Sequence, residues 1–119
     1  MSIPAILASE GFDDSLPVIV LDHQPGHLEQ AEQAGVGLQL SGHTHAGQLF
    51  PLNLVNRLFW ELNWGFLRKG PTQYYVTSGV GTWGPPVRTG SRAEIVRLEL
   101  RFDRTSGERS PRNGPGVTS

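Results

Sequence analysis

Three of the four histidines in this 119-residue chain are spaced as metal ligands would be. His43 and His45 stand two positions apart in Gly42-His43-Thr44-His45-Ala46-Gly47-Gln48. In extended backbone, residues i and i+2 point to one side, so both imidazoles converge on one ion. Neutral imidazole is the commonest protein metal ligand, and the flanking glycines let the backbone turn tightly and approach closely. His23 supplies a third nitrogen from an earlier segment. A His-x-His pair by itself is weak evidence. A cupin-type site would also show one, but it wants a glutamate three or four residues on, where this chain has Leu49 and Phe50. His27 lies in a polar stretch and reads as a solvated helix residue.

The elements that must position these rings follow from periodicity. Val18-Ile19-Val20-Leu21 is a short apolar run, three of the four β-branched, which suits a strand covered on both faces of a parallel or mixed sheet. Pro25-Gly26 turns the chain, and residues 27–34 read as a helix, with Leu28, Ala31 and Ala34 on one face and Gly35 ending it. Val36, Leu38 and Leu40 then alternate with polar or small residues at strand period. Strand, helix and strand in this order form a βαβ-like unit. His23 follows its first strand, and His43 and His45 follow its second. Sites in open α/β sheets lie at that carboxyl-terminal edge.

Elsewhere the pattern predicts a short helix near Ala5–Ser9 and a strand at Tyr74-Tyr75-Val76-Thr77. Gly79 to Gly90 reads as a glycine-dense loop, and Val96 to Phe102 as a half-exposed final strand. Leu52 to Leu67, rich in aliphatic and aromatic residues, reads as a helical turn or two followed by an extended segment. Core packing is its first interpretation, and a membrane-facing or partner-facing patch the other. The stretch 103–119 has a single large aliphatic residue, Val117, and is expected to be disordered, leaving 1–102 as the folded part.

Composition excludes several classes. Lys+Arg 10 against Asp+Glu 11 gives a formal net charge of -1, so no strongly basic nucleic-acid binder is expected. Cys 0 removes disulfides, thiolate zinc sites and a cysteine nucleophile, and leaves metal to histidine and oxygen ligands. No run approaches the ~18 apolar residues of a membrane span, and no secretory leader is visible, so the chain as written is expected to be soluble. Gly 15 and Pro 9 mean that loops take much of the length.

Three segments carry a resemblance: Leu21-Asp22-His23-Gln24-Pro25, Ser41 to Gln48, and Gly79-Val80-Gly81-Thr82-Trp83-Gly84-Pro85-Pro86-Val87-Arg88. Together they resemble the C-terminal half of calcineurin-like metallophosphoesterases, closest to the bacterial membrane-anchored branch, over about 16–102. The resemblance implies an α/β fold, the C-terminal half of a four-layer α/β/β/α sandwich with mixed β-sheets. It implies hydrolysis of phosphomonoester or phosphodiester bonds, so the partner is a phosphorylated substrate. It further implies two divalent ions (manganese, iron, zinc or nickel), with His23 and His43 on one and His45 on the other. The same resemblance implies membrane association for a full-length protein of that branch.

The family pattern also contains Asp-x-His, Gly-Asp and Gly-Asn-His elements upstream, and none occurs in this sequence. The bridging carboxylate and the general-acid histidine are therefore not among these residues. No catalytic residue is assigned, and the isolated chain is expected to be inactive without the missing N-terminal half. Three neutral imidazoles neutralise no charge, so they suit at most one ion in a tris-histidine site with an open position. A second reading follows: a non-enzymatic metal-binding chain that pairs with another polypeptide. Gln48 is expected to orient a histidine or contact substrate, unless it is a surface amide. Arg88, after a rigid Pro85-Pro86 turn, is expected to aim its guanidinium at a phosphate oxygen, unless it is simply exposed. Asp22 would point to the opposite strand face, and either supports the ligand histidine from behind or acts structurally.

Overall fold

A computed structural model describes residues 2–11, 13 and 15–102. The elements are α1 (Ile3–Ser9), β1 (Ile19–Asp22), α2 (Leu28–Gln33), β2 (Leu38–Ser41), α3 (Leu52–Phe59), β3 (Gly65–Lys69) and β4 (Thr72–Val76). The expected tail, 103–119, lies outside the described residues.

Among the described residues the four strands form one mixed sheet in the order β1-β2-β4-β3. β1, β2 and β4 run parallel, and β3 returns antiparallel to β4 through Gly70-Pro71. The βαβ unit read from periodicity is present as β1-α2-β2. α2 begins after Pro25-Gly26, with His27 as a left-handed N-cap and Glu29 in the first turn, where a carboxylate favours the helix dipole. Gly35, at φ 74, lets the chain leave the helix. Leu28 and Ala31 face the sheet and form the core with Val36 and Tyr74, joined by Val18, Val20, Ala34, Leu62 and Leu67. The Tyr74 hydroxyl donates to the Leu28 carbonyl at 2.7 Å, which bolts β4 to α2.

Among the described residues one sheet face is covered by a helix and the other is largely open. The register puts Ile19 beside Leu38, Leu40 beside Tyr75, and Tyr75 beside Phe66, all pointing away from α2. On that face Leu21 is 79% exposed, and Ile19 and Phe66 are exposed as well. The expectation that β1 is covered on both faces therefore fails within the described residues.

Two further expectations are corrected. The alternation from Val96 to Phe102 forms no strand: residues 91–102 join no ladder, and Leu98, Leu100 and Phe102 are exposed. Leu98 and Leu100 lie along the open sheet face, beside Ile19, Phe66 and Tyr75. Period-two alternation makes a strand only where a neighbour offers its own hydrogen-bonding edge. The apolar stretch 52–67 has the expected order, helix then strand, but only Leu62 and Leu67 pack on the core: Leu54, Val55, Phe59, Trp64 and Phe66 are exposed, and Leu58 is 84% exposed.

Candidate metal centre

His23 follows β1 directly, and His43 follows β2 after Gly42. The Gly42 amide donates to the His23 carbonyl at 3.2 Å, and the Asp22 carboxylate accepts from the Gln24 amide. Asp22 thus takes part in the turn that carries His23. The two rings meet edge to face, with His43 Nδ1 2.8 Å from His23 Nε2. Two nitrogens held ~2.1 Å from one ion, at right angles, would lie ~3 Å apart. In this structure the contact is a ring N–H···N hydrogen bond whose donor depends on the tautomer, and its length is also one that two nitrogen ligands of a single ion span. Trp60 meets the His43 ring edge to face, centroids 6.4 Å apart.

His45 does not join them. The spacing argument assumes extended backbone, but His43, His45 and Ala46 all have positive φ (66, 49 and 51). The i, i+2 alternation is lost in that coil, and His45 Nδ1 lies 3.4 Å from Arg88 Nη2. Among the described residues no group of three or more histidine or acidic side chains could hold one ion. The tris-histidine arrangement is thus not formed. Three non-glycine residues with positive φ within four positions store backbone strain, which clusters where geometry serves function.

Gln48 is a buried tie. Its Nε2 donates to the carbonyls of Trp83 (2.9 Å), Pro85 (3.1 Å) and Val87 (2.8 Å), and its Oε1 accepts from the Trp83 amide at 2.6 Å. Its own carbonyl accepts from the Thr89 and Gly90 amides. Arg88 works from the other end of the same loop. Its Nη1 donates to Ser91 Oγ, and its Nη2 to the carbonyls of Ser78, Gly79 and Gly81. Its Nε is buried without a partner. Gln48 is buried and so is no surface amide, and both side chains hold the loop against the histidine turn, a role that neither set of expectations named. The chain passes so closely there that a Cβ on Gly90 would strike the Gly47 carbonyl.

The comparisons with known proteins agree on one family. The chain is 43% identical over 90 residues to an uncharacterised metallophosphoesterase of Helicobacter pylori, covering 74% of this chain and 24% of that protein. It is 44% identical over 97 residues to a bovine transmembrane protein with metallophosphoesterase domain, covering 79% and 22%. The Bacillus subtilis uncharacterised metallophosphoesterase YkuE is 33% identical over 92 residues, covering 74% and 32%. This chain belongs to the metallophosphoesterase family. It spans about a quarter of the length of the curated relatives it matches. No family model and no solved structure matches it. Membership implies dependence on divalent metal, with which the His23–His43 separation is compatible.

Two features of this metallophosphoesterase segment have no counterpart in the spacing argument. One is a pocket of about 330 Å³ whose walls include His43, His45, Trp60 and Trp83. Trp83 sits in the Gly-Thr-Trp-Gly-Pro-Pro segment, so an indole set among helix-breaking residues was the available signal. The other is Glu94, whose Oε1 accepts from the Trp64 indole (3.0 Å), the Thr77 hydroxyl (3.0 Å) and the Ser78 amide (2.9 Å). Burial pushes its carboxyl up, but the Ser78 amide and the two side-chain donors outweigh burial and hold it below the usual range. Nothing in the sequence marks this residue.

Proposed function

We propose that this chain supplies the carboxyl-terminal part of a dinuclear phosphoesterase domain acting on phosphomonoesters or phosphodiesters. The observation that carries the proposal is the 2.8 Å approach of His43 Nδ1 to His23 Nε2 across two adjacent strand ends. His23 and His43 would share one ion and His45 would serve the other, which agrees with His45 standing apart. When bound, such ions, manganese, iron, zinc or nickel, neutralise phosphoryl charge and activate water near neutral pH. The chain's own part is orientation. Trp60 limits rotation of the His43 ring, and Asp22 fixes the turn under His23. Gln48 and Arg88 hold the 79–90 loop over the histidine turn. In this reading the uncovered sheet face meets a second sheet from the rest of the protein, completing a four-layer sandwich, and 94–102 pairs with that sheet.

The experiment is hydrolysis of an aryl phosphate by the full-length protein with added manganese. Turnover should require metal and should vanish in His43→Ala and in His23→Ala. Undiminished turnover in either variant sinks the assignment.

A further inference from the structure

The walls of the histidine pocket say what kind of phosphoester fits it. Beside His43 and His45 stand Thr44, Gly47 and Gln48, and the remaining wall is apolar: Leu49, Val55, Trp60 and Trp83. A site for a small, fully polar ester, such as a sugar phosphate, would present donors and acceptors to the hydroxyl groups, since buried polar groups must be paired. Here the Gln48 amide is engaged with residues 83–87 and the Thr44 hydroxyl donates to the Asn63 carbonyl, so indoles and aliphatic carbons make up the rest of the wall. The apolar wall also continues outward. Val55 belongs at once to the pocket and to α3, where Leu58 and Phe59 lie exposed on the following turn. An apolar chain leaving the pocket past Val55 would stay in contact with carbon.

We infer that the site takes an amphiphilic phosphoester, with the phosphoryl group at the histidines and an alkyl or acyl chain along Trp60, Trp83 and Val55. The inference rests on the phosphoesterase reading and adds the substrate class. Trp83 is 65% exposed, and Gln48 holds it through its backbone amide and carbonyl, while the residue also lines the pocket. For the same reason Trp83→Ala removes the indole without cutting the loop clamp.

The test is calorimetric binding of octylphosphonate and ethylphosphonate, whose P–C bonds do not hydrolyse, to the full-length protein loaded with manganese. Octylphosphonate is expected to bind at least ten-fold more tightly, about 1.4 kcal/mol, which is the burial of roughly two methylene groups. The ratio should fall toward one in Trp83→Ala and in Val55→Ser. Equal affinities in the unaltered protein would overturn the apolar subsite and leave the phosphoesterase reading standing. Binding of neither phosphonate would overturn both. A ten-fold ratio that persists in the two variants would overturn the assignment to these residues.

Discussion

Gln48 shows how one side chain fixes a loop that periodicity cannot describe. Its amide meets three carbonyls and one N–H of residues 83–87, from a position only 4% exposed. Gln48→Ala would leave those groups to water at the exposed loop, costing about 2 kcal/mol. Gln48→Glu keeps the shape but turns a carboxylate oxygen toward the same three carbonyls. Burying that repulsion costs more than truncation, so the glutamate variant should melt below the alanine variant. Thermal unfolding of the two decides it, and a glutamate variant as stable as the parent would refute the tie. Glu94 carries a pH prediction. Its carboxyl is held below the ordinary range when folded, so its contribution is complete above ~4.3, the unfolded value, and is lost as pH falls through the lower folded value. The difference in melting temperature between the parent and Glu94→Gln should be flat above about pH 5 and shrink below about pH 4. A difference that grows on acidification would contradict the three-donor account.

At the scale of elements, the hydroxyl of Tyr74 ties the central strand β4 to α2. Tyr74→Phe keeps the packing and removes only the bond to the Leu28 carbonyl, so it should cost about 1 kcal/mol in a denaturant titration. No change in midpoint would mean that water replaces the hydroxyl. The elements themselves were largely legible. Leu28, Ala31 and Gly35 announce α2, and the alternation around Leu38 and Leu40 announces β2, because burial on one face leaves a period in the sequence. The His23–His43 meeting was legible for the same reason: it needs only that the two strands be neighbours. The separation of His45 was not. It depends on positive φ at His43, His45 and Ala46, which no spacing rule encodes and which side-chain ties to a remote loop hold in place. The final alternation, 96–102, misled because a pattern records a preference for a sheet and does not supply one.

For the whole molecule, the question is the uncovered sheet face. Ile19 and Leu21 on edge strand β1 and Phe66 on the opposite edge strand β3 are exposed on one side of the four strands, and large exposed apolar patches are what soluble monomers rarely present. If the rest of a longer protein covers that face, the two settings give opposite responses to one change. In the 119-residue chain alone, Leu21→Lys with Phe66→Lys removes apolar area from water contact and adds charge at a sheet face, so self-association measured by sedimentation should fall. In the full-length protein the same pair places two ammonium groups between packed sheets. Full burial of one leucine or phenylalanine is worth ~1.5–3 kcal/mol, so the loss should reach several kcal/mol and abolish cooperative unfolding or expression. A full-length protein that tolerates both lysines with an unchanged melting temperature would mean that the face stays open to water. The second sheet would then have to be abandoned, while the approach of His23 to His43 at the strand ends, which rests on its own geometry, would stand.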